Sequence, residues 1–170
     1  SGSVSRLFED SRQRLWIGTR KGLNRFDPET ETFKRYTHDP DDPDSIGSDM
    51  VLYGICEDRN GILWVGTRNG GLNRFDPETE QVIEKYVHDP DDPTTIGSNS
   101  LFQIYQDSSD RYWVSTDRGV HRFDPETGRF QRFSEKTGNF PLTATTQILE
   151  DGQGYLWIAG HHEGKLIRFD

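Results

Sequence analysis

The chain has 170 residues, enough for one ordinary domain, and its net charge of -9 with a pI near 5.0 excludes a phosphate backbone as natural partner, since nucleic-acid binding rests on clustered Lys and Arg. Only 31% of residues are hydrophobic and 29% are charged, yet 4 Trp, 10 Phe and 6 Tyr exclude simple disorder, because large rings bury much apolar area per residue. No run approaches the length of a membrane span, no charged-then-apolar leader is seen, and a lone cysteine, Cys56, excludes an intrachain disulfide.

The first unit is expected over residues 4–39, opening on a strand near Val4 that holds Leu7 and Phe8 and returning through the phrase RLWIGT. The second, residues 49–89, shows the pattern most fully. A β-rich run from Val51 to Asp58 meets the turn Asp58-Arg59-Asn60-Gly61, where Gly can take positive φ. Ile62 to Thr67 returns as a second strand, Arg68-Asn69-Gly70-Gly71 turns again, and Leu72 to Asp76 is the third. Asp76-Pro77-Glu78-Thr79 is a turn with Pro where its fixed φ fits, and Ile83 to His88 forms a fourth strand. The third unit is expected over 99–134 and the fourth over 143–170, which stops before a fourth strand.

Trp16, Trp64, Trp113 and Trp157 recur in similar phrases, and Phe26-Asp27, Phe75-Asp76, Phe123-Asp124 and Phe169-Asp170 keep step with them. Four short strands in roughly 45 residues is the signature of a β-propeller blade. The first strands align Leu7, Ile55, Ile104 and Ile148 on one face and Phe8, Cys56, Tyr105 and Leu149 on the other. A strand apolar on both faces is one pressed between neighbours, as in stacked blades. The fold class is therefore all-β, four antiparallel blades with the last lacking its outer strand, as half of an eight-bladed ring. A β-sandwich is the competing fold, and it leaves the repeated Trp phrase unexplained.

The phrase ICEDRNGILWVGTRNGGLNRFDPET followed by KYVHDPDDPTTIGSNS resembles the two-component regulator propeller repeat. The likeness covers nearly the whole chain and weakens in unit four, where GHHEGK replaces the Thr-Arg-Asn-Gly turn. The resemblance implies part of the extracytoplasmic sensor region of a bacterial hybrid receptor, periplasmic or extracellular, sensing an external cue that is often a carbohydrate. Such regions hold more repeats than four, so the chain is expected to be an excised or engineered piece of one.

Several clusters invite chemical readings. The acidic loops Asp39-Pro40-Asp41-Asp42-Pro43-Asp44 and Asp89-Pro90-Asp91-Asp92-Pro93 offer carboxylates but lack the Gly and terminal Glu of a calcium loop, so they are read as connectors and no metal or other cofactor is expected. His161-His162 has no evident third ligand and is read as a solvated loop. Cys56 sits in an apolar column and reads as a small hydrophobe.

Arg20, Arg68, Arg118 and His161 fall in the second turn of successive units, with Asn69 and His162 beside them. One reading is a ligand-binding rim for an anionic or saccharide ligand, Arg donating paired hydrogen bonds to carboxylate. The other pairs each Arg with an Asp of a neighbouring loop, and the frequency of surface ion pairs favours it. No nucleophile elbow, phosphate loop or zinc helix occurs, so a non-catalytic module is expected, with a propeller lyase as the enzymatic alternative and a piece with no ligand of its own as the other. Blades with no neighbour would expose apolar faces, including Leu7 or Phe8 at one end and Ile148 or Leu149 at the other. Homo-oligomerisation, a dimer before other states, is the expected remedy.

Overall fold

The structure, a computed structural model, describes residues 3–52, 54–133, 144–160 and 164–169. All of its regular elements among these residues are β-strands, and each blade is an up-and-down antiparallel sheet. Blade one is β1 (Val4–Glu9), β2 (Leu15–Thr19), β3 (Gly22–Asp27) and β4 (Thr32–Tyr36). Blade two is β5 (Gly54–Glu57), β6 (Leu63–Gly66), β7 (Leu72–Asp76) and β8 (Gln81–Tyr86). Blade three is β9 (Leu101–Gln106), β10 (Tyr112–Thr116), β11 (Gly119–Asp124) and β12 (Arg129–Phe133). Blade four has β13 (Thr145–Glu150), β14 (Leu156–Gly160) and β15 (Leu166–Phe169), a three-stranded sheet. The all-β propeller architecture is thus as the repeat predicts.

Each sheet has two faces because side chains alternate along a strand, and three apolar layers form where consecutive blades meet. Between blades one and two, Trp16 and Leu23 pack on Ile55, Leu63, Val65 and Phe75. Trp64 and Leu72 meet Ile104, Tyr112, Val114 and Phe123 between blades two and three, and Trp113 and Val120 meet Ile148, Leu156 and Ile158 between three and four. In every layer the Trp of one blade meets the Phe of the next edge-on, Trp16–Phe75 at 5.6 Å, Trp64–Phe123 at 5.2 Å and Trp113–Phe169 at 5.6 Å between ring centroids.

A buried indole N–H needs an acceptor, and the same one recurs six residues upstream. Asp10, Asp58, Asp107 and Asp151 accept from the Nε1 of Trp16, Trp64, Trp113 and Trp157 at 2.9, 3.1, 2.8 and 2.7 Å. Each carboxylate also closes its own β-turn through two backbone amides, those of Arg12 and Arg14 for Asp10 and of Ser109 and Arg111 for Asp107. Burial raises the Asp10 and Asp107 pKa values, but the indole and Arg hydrogen bonds outweigh it and leave both below the usual carboxylate range.

The acidic loops join successive blades, and four of their carboxylates close local turns. Asp39 and Asp42 accept from the amides of Asp41 and Asp44, and Asp89 and Asp92 from those of Asp91 and Thr94. His38 and His88 lie after the fourth strands and clasp these loops, Nδ1 donating to the carbonyls of Ile46 and Ile96 at 2.8 Å. The loops then hydrogen-bond to the outer strand of the following blade, Val82 N–H to the Asp44 carbonyl and Phe130 N–H to that of Thr94. Chain connection and blade stacking are thus locked by the same segments.

The stack leaves two faces uncovered. Leu7 and Phe33 of blade one are each 60% exposed, and Leu149 and Leu166 of blade four 60% and 62%. Of the four residues expected at these ends, Leu7 and Leu149 are open to solvent. Phe8 and Ile148 instead turn inward, Phe8 against the first apolar layer and Ile148, 1% exposed, into the third. Alternation is the reason, since adjacent strand residues face opposite sides and only one side of an end blade lacks a neighbour.

Candidate functional site: a pocket where the four blades converge

The innermost strands lie side by side, and their polar positions surround a pocket of about 670 Å³. That volume is within the range of small-molecule sites. Blade one contributes Ser5 and Arg6 from β1 and Arg20 from the β2–β3 turn; blade two contributes Arg68 from the β6–β7 turn. Ser100, Gln103 of β9, Asp117 of the β10–β11 turn, and Thr146 and Gln147 of β13 complete the polar lining, with Leu52, Leu101 and Phe102 as its apolar part.

Two local devices aim these residues. In β1, β9 and β13 the pairing register slips by one residue, leaving Ser5, Phe102 and Thr146 as bulges opposite continuous partners. A bulge bends its strand and redirects a side chain, and all three bulged residues line the pocket. The second device is docking of the connectors that enter blades two and three on the preceding blade's second turn. Val51 N–H donates to the Thr19 carbonyl and Leu101 N–H to that of Thr67, while Arg68 N–H returns to the Met50 carbonyl and Asp117 N–H to that of Ser100. The turns themselves are stiffened by buried threonines, Thr19, Thr67 and Thr116, whose hydroxyls donate to the carbonyls of Gly22, Gly71 and Gly119. At Gly71, with φ of +72°, a Cβ would lie 2.2 Å from the Tyr86 carbonyl oxygen, so the turn requires glycine.

Of the predicted rim, Arg20 and Arg68 line the pocket and are exposed. Arg118 and Asn69 stand one residue further along their turns and are not among its lining residues. Asn69 has a left-handed backbone, φ 71°, and its Oδ1 accepts from Ser100 Oγ at 3.2 Å. His161 and His162 lie outside the described residues. Counted from each Trp, the position of Arg20 and Arg68 is held in blade three by Asp117, and Arg118 follows it by one residue in the same turn. The alternative in which each Arg pairs with a loop Asp finds no ion pair for Arg20, Arg68 or Arg118 among the described residues; other arginines do pair with Asp, as Arg14–Asp10, Arg111–Asp107 and Arg59–Asp110.

Arg6, Gln103 and Gln147 were not singled out from sequence. They occupy one column, immediately before the apolar column of Leu7, Ile55, Ile104 and Ile148, and a polar residue there in an otherwise apolar first strand is the signal that was available. Gln103 is partly engaged, clamping β13 through Nε2 to the Ile148 carbonyl at 3.1 Å and Oε1 from the Ile148 amide at 2.6 Å. Three guanidinium groups against one carboxylate make the pocket cationic within a chain of net charge -9. Cys56 is elsewhere, partly buried against the second apolar layer, where burial pushes its thiol up to about 12. Among the described residues no group of three His, Cys, Asp or Glu could hold a metal ion.

The family model described as two component regulator propeller matches residues 1–21 and 45–69. The chain carries two-component regulator propeller repeats. Among solved structures, the extracellular domain of the hybrid two component system BT3049 from B. thetaiotaomicron superposes with a TM-score of 0.84 at 25% identity, covering 100% of this chain and 25% of that one. A histidine kinase, P4, of Formosa agariphila is 35% identical over 140 residues, 79% of this chain and 10% of the kinase. These regulator propeller repeats therefore span a small part of the proteins they match. Virginiamycin B lyase from Staphylococcus aureus superposes with a TM-score of 0.68 at 20% identity, over 100% of this chain and 56% of the lyase, and shares the fold alone. Among the described residues no helix is long and apolar enough to cross a membrane.

Proposed function

We propose that the chain is a non-catalytic ligand-binding piece of an extracytoplasmic sensor, and that its central pocket takes a small acidic saccharide. One observation carries the reading. Arg6, Arg20 and Arg68 converge on the pocket with no carboxylate partner among the described residues. Surface arginines of an acidic protein are ordinarily neutralised by its own Asp and Glu, so three left unpaired in one concavity are complementary to an anion supplied from outside. Ser5, Ser100, Thr146 and Gln147 add neutral donors and acceptors suited to hydroxyls, and Phe102 an apolar surface for a sugar ring. The family and the extracellular relative support a position outside the cytoplasm.

Calorimetric titration with uronate oligosaccharides and with neutral oligosaccharides of the same length tests this. Binding is expected for the acidic series alone. Charge-assisted hydrogen bonds contribute about 1.5–3 kcal/mol each, so Arg20→Ala or Arg68→Ala should weaken it about tenfold to a hundredfold. Equal affinity for neutral sugars, or undiminished binding by both variants, would overturn the assignment.

A further inference from the structure

We propose that Asp117 determines the specificity of the pocket, selecting acidic saccharides that also carry a free amino group, with the ligand carboxylate against Arg6, Arg20 and Arg68 and its ammonium against Asp117. It rests on the reading of the pocket as an acidic-saccharide site and names the ligand class more narrowly.

One turn is built alike in successive blades, and in the third it carries the opposite charge. In blades one and three it is a Thr-x-x-Gly frame, Thr19 to Gly22 and Thr116 to Gly119. The threonine hydroxyls donate to the Gly22 and Gly119 carbonyls at 2.9 and 3.0 Å and accept from the amides of Lys21 and Arg118, both at 3.0 Å. Both glycines have φ of 108°. The residue that each frame turns to the pocket is the one after the threonine, Arg20 in blade one and Asp117 in blade three. Blade two has one residue more in its turn, yet Arg68 is docked as Asp117 is. The Arg68 amide donates to the Met50 carbonyl at 2.9 Å, and that of Asp117 to the Ser100 carbonyl at 3.3 Å. Side chains held on a frame of this kind are preorganised for a ligand.

Charge in the pocket is therefore divided. Blades one and two supply three guanidinium groups, blade three a carboxylate, and blade four the neutral Thr146 and Gln147. Asp117 is exposed, and among the described residues its carboxylate forms no ion pair with Arg6, Arg20 or Arg68, so it is not their internal counter-ion. A second carboxylate of the ligand would be repelled at Asp117, a hydroxyl would gain a neutral hydrogen bond, and an ammonium would gain a charge-assisted one, about twice as strong. Fixed charges of both signs thus discriminate by repulsion as well as by attraction. A uronate joined to an amino sugar carries the matching pair, and a pocket of about 670 Å³ is of the size that takes a ligand such as a disaccharide.

Calorimetric titration with a uronate–glucosamine disaccharide, and with the same disaccharide N-acetylated, tests this at about pH 6, where amines are charged and carboxylates ionised. Acetylation removes the positive charge, so the free amine should bind about tenfold to a hundredfold more tightly. Asp117→Asn keeps the shape of the side chain and should bring the two affinities close together. Asp117→Arg gives blade three the turn of blade one and should reverse the preference. The site is exposed, so both variants should keep the circular dichroism spectrum of the parent. Equal affinity of the parent for the two ligands, or a preference for the amine that survives Asp117→Asn, would overturn the proposal and leave the acidic-saccharide reading standing. Binding of neither disaccharide would overturn both.

Discussion

Replacing His121 by Asn should flatten the acid side of the stability curve. His121 lies on β11, 1% exposed, and its Nε2 accepts the Gly97 amide at 3.0 Å. An imidazole nitrogen accepts only when unprotonated, so protonation both charges a buried ring and sets two N–H groups against each other. Burial accordingly pushes the His121 pKa down from 6.5 to about 4. The unfolded chain takes up the proton first. The stabilisation tied to the neutral ring is therefore complete above about pH 6.5 and is lost progressively as pH falls towards about 4. A gap of about two to three pKa units at about 1.4 kcal/mol each corresponds to about 3 kcal/mol of stability lost across that window. Blade two shows the non-titrating substitute, for Asn73 holds the same position and accepts the Gly47 amide through Oδ1 at 2.8 Å. Urea unfolding of wild type and His121→Asn at pH 7, 6, 5 and 4 measures the effect. The variant should start about 1 kcal/mol lower at pH 7 through the smaller side chain and lose less between pH 6 and 4. Carboxylate titration is common to both proteins and cancels in the difference. Parallel curves would show that His121 does not titrate on unfolding and refute the reasoning.

Trp64→Ala removes an indole 1% exposed in the second apolar layer and should lower unfolding free energy by about 3–5 kcal/mol, read by chemical denaturation. Asp107→Ala leaves the indole N–H of Trp113 and the guanidinium of Arg111 without their buried acceptor, and a cost of about 1–3 kcal/mol or more is expected in the same assay. Cys56, its thiol pushed up to about 12 by burial, should react with a disulfide reagent at pH 8 far more slowly in the native than in the unfolded protein; equal labelling rates would contradict the assigned environment.

Much of this protein is local, and local features can be read from sequence. Asp-Pro-Glu-Thr turns, Gly at positive φ and the spaced Trp phrases depend on a few neighbouring residues, so the number of blades and the strand order within them were legible. The Asp-to-Trp hydrogen bond was legible too, at a constant spacing of six residues, though only the Trp drew notice. What lay beyond reach depended on which side of a strand meets a neighbour. Phe8 and Leu7 are equally apolar, and only the order of stacking turns Phe8 inward and leaves Leu7 in solvent. Arg118 and Asp117 differ by one step along a turn, yet only Asp117 is among the residues that line the pocket. The bulges at Ser5, Phe102 and Thr146 shift the period of two along their strands without any change of composition, and they carry side chains of three separate blades to one place. Sequence alone determined the blades, because each is held by its own hairpins. The pocket and the two open faces were decided by tertiary structure, because they are made of residues whose only common property is the side of the sheet on which the stacked backbone puts them.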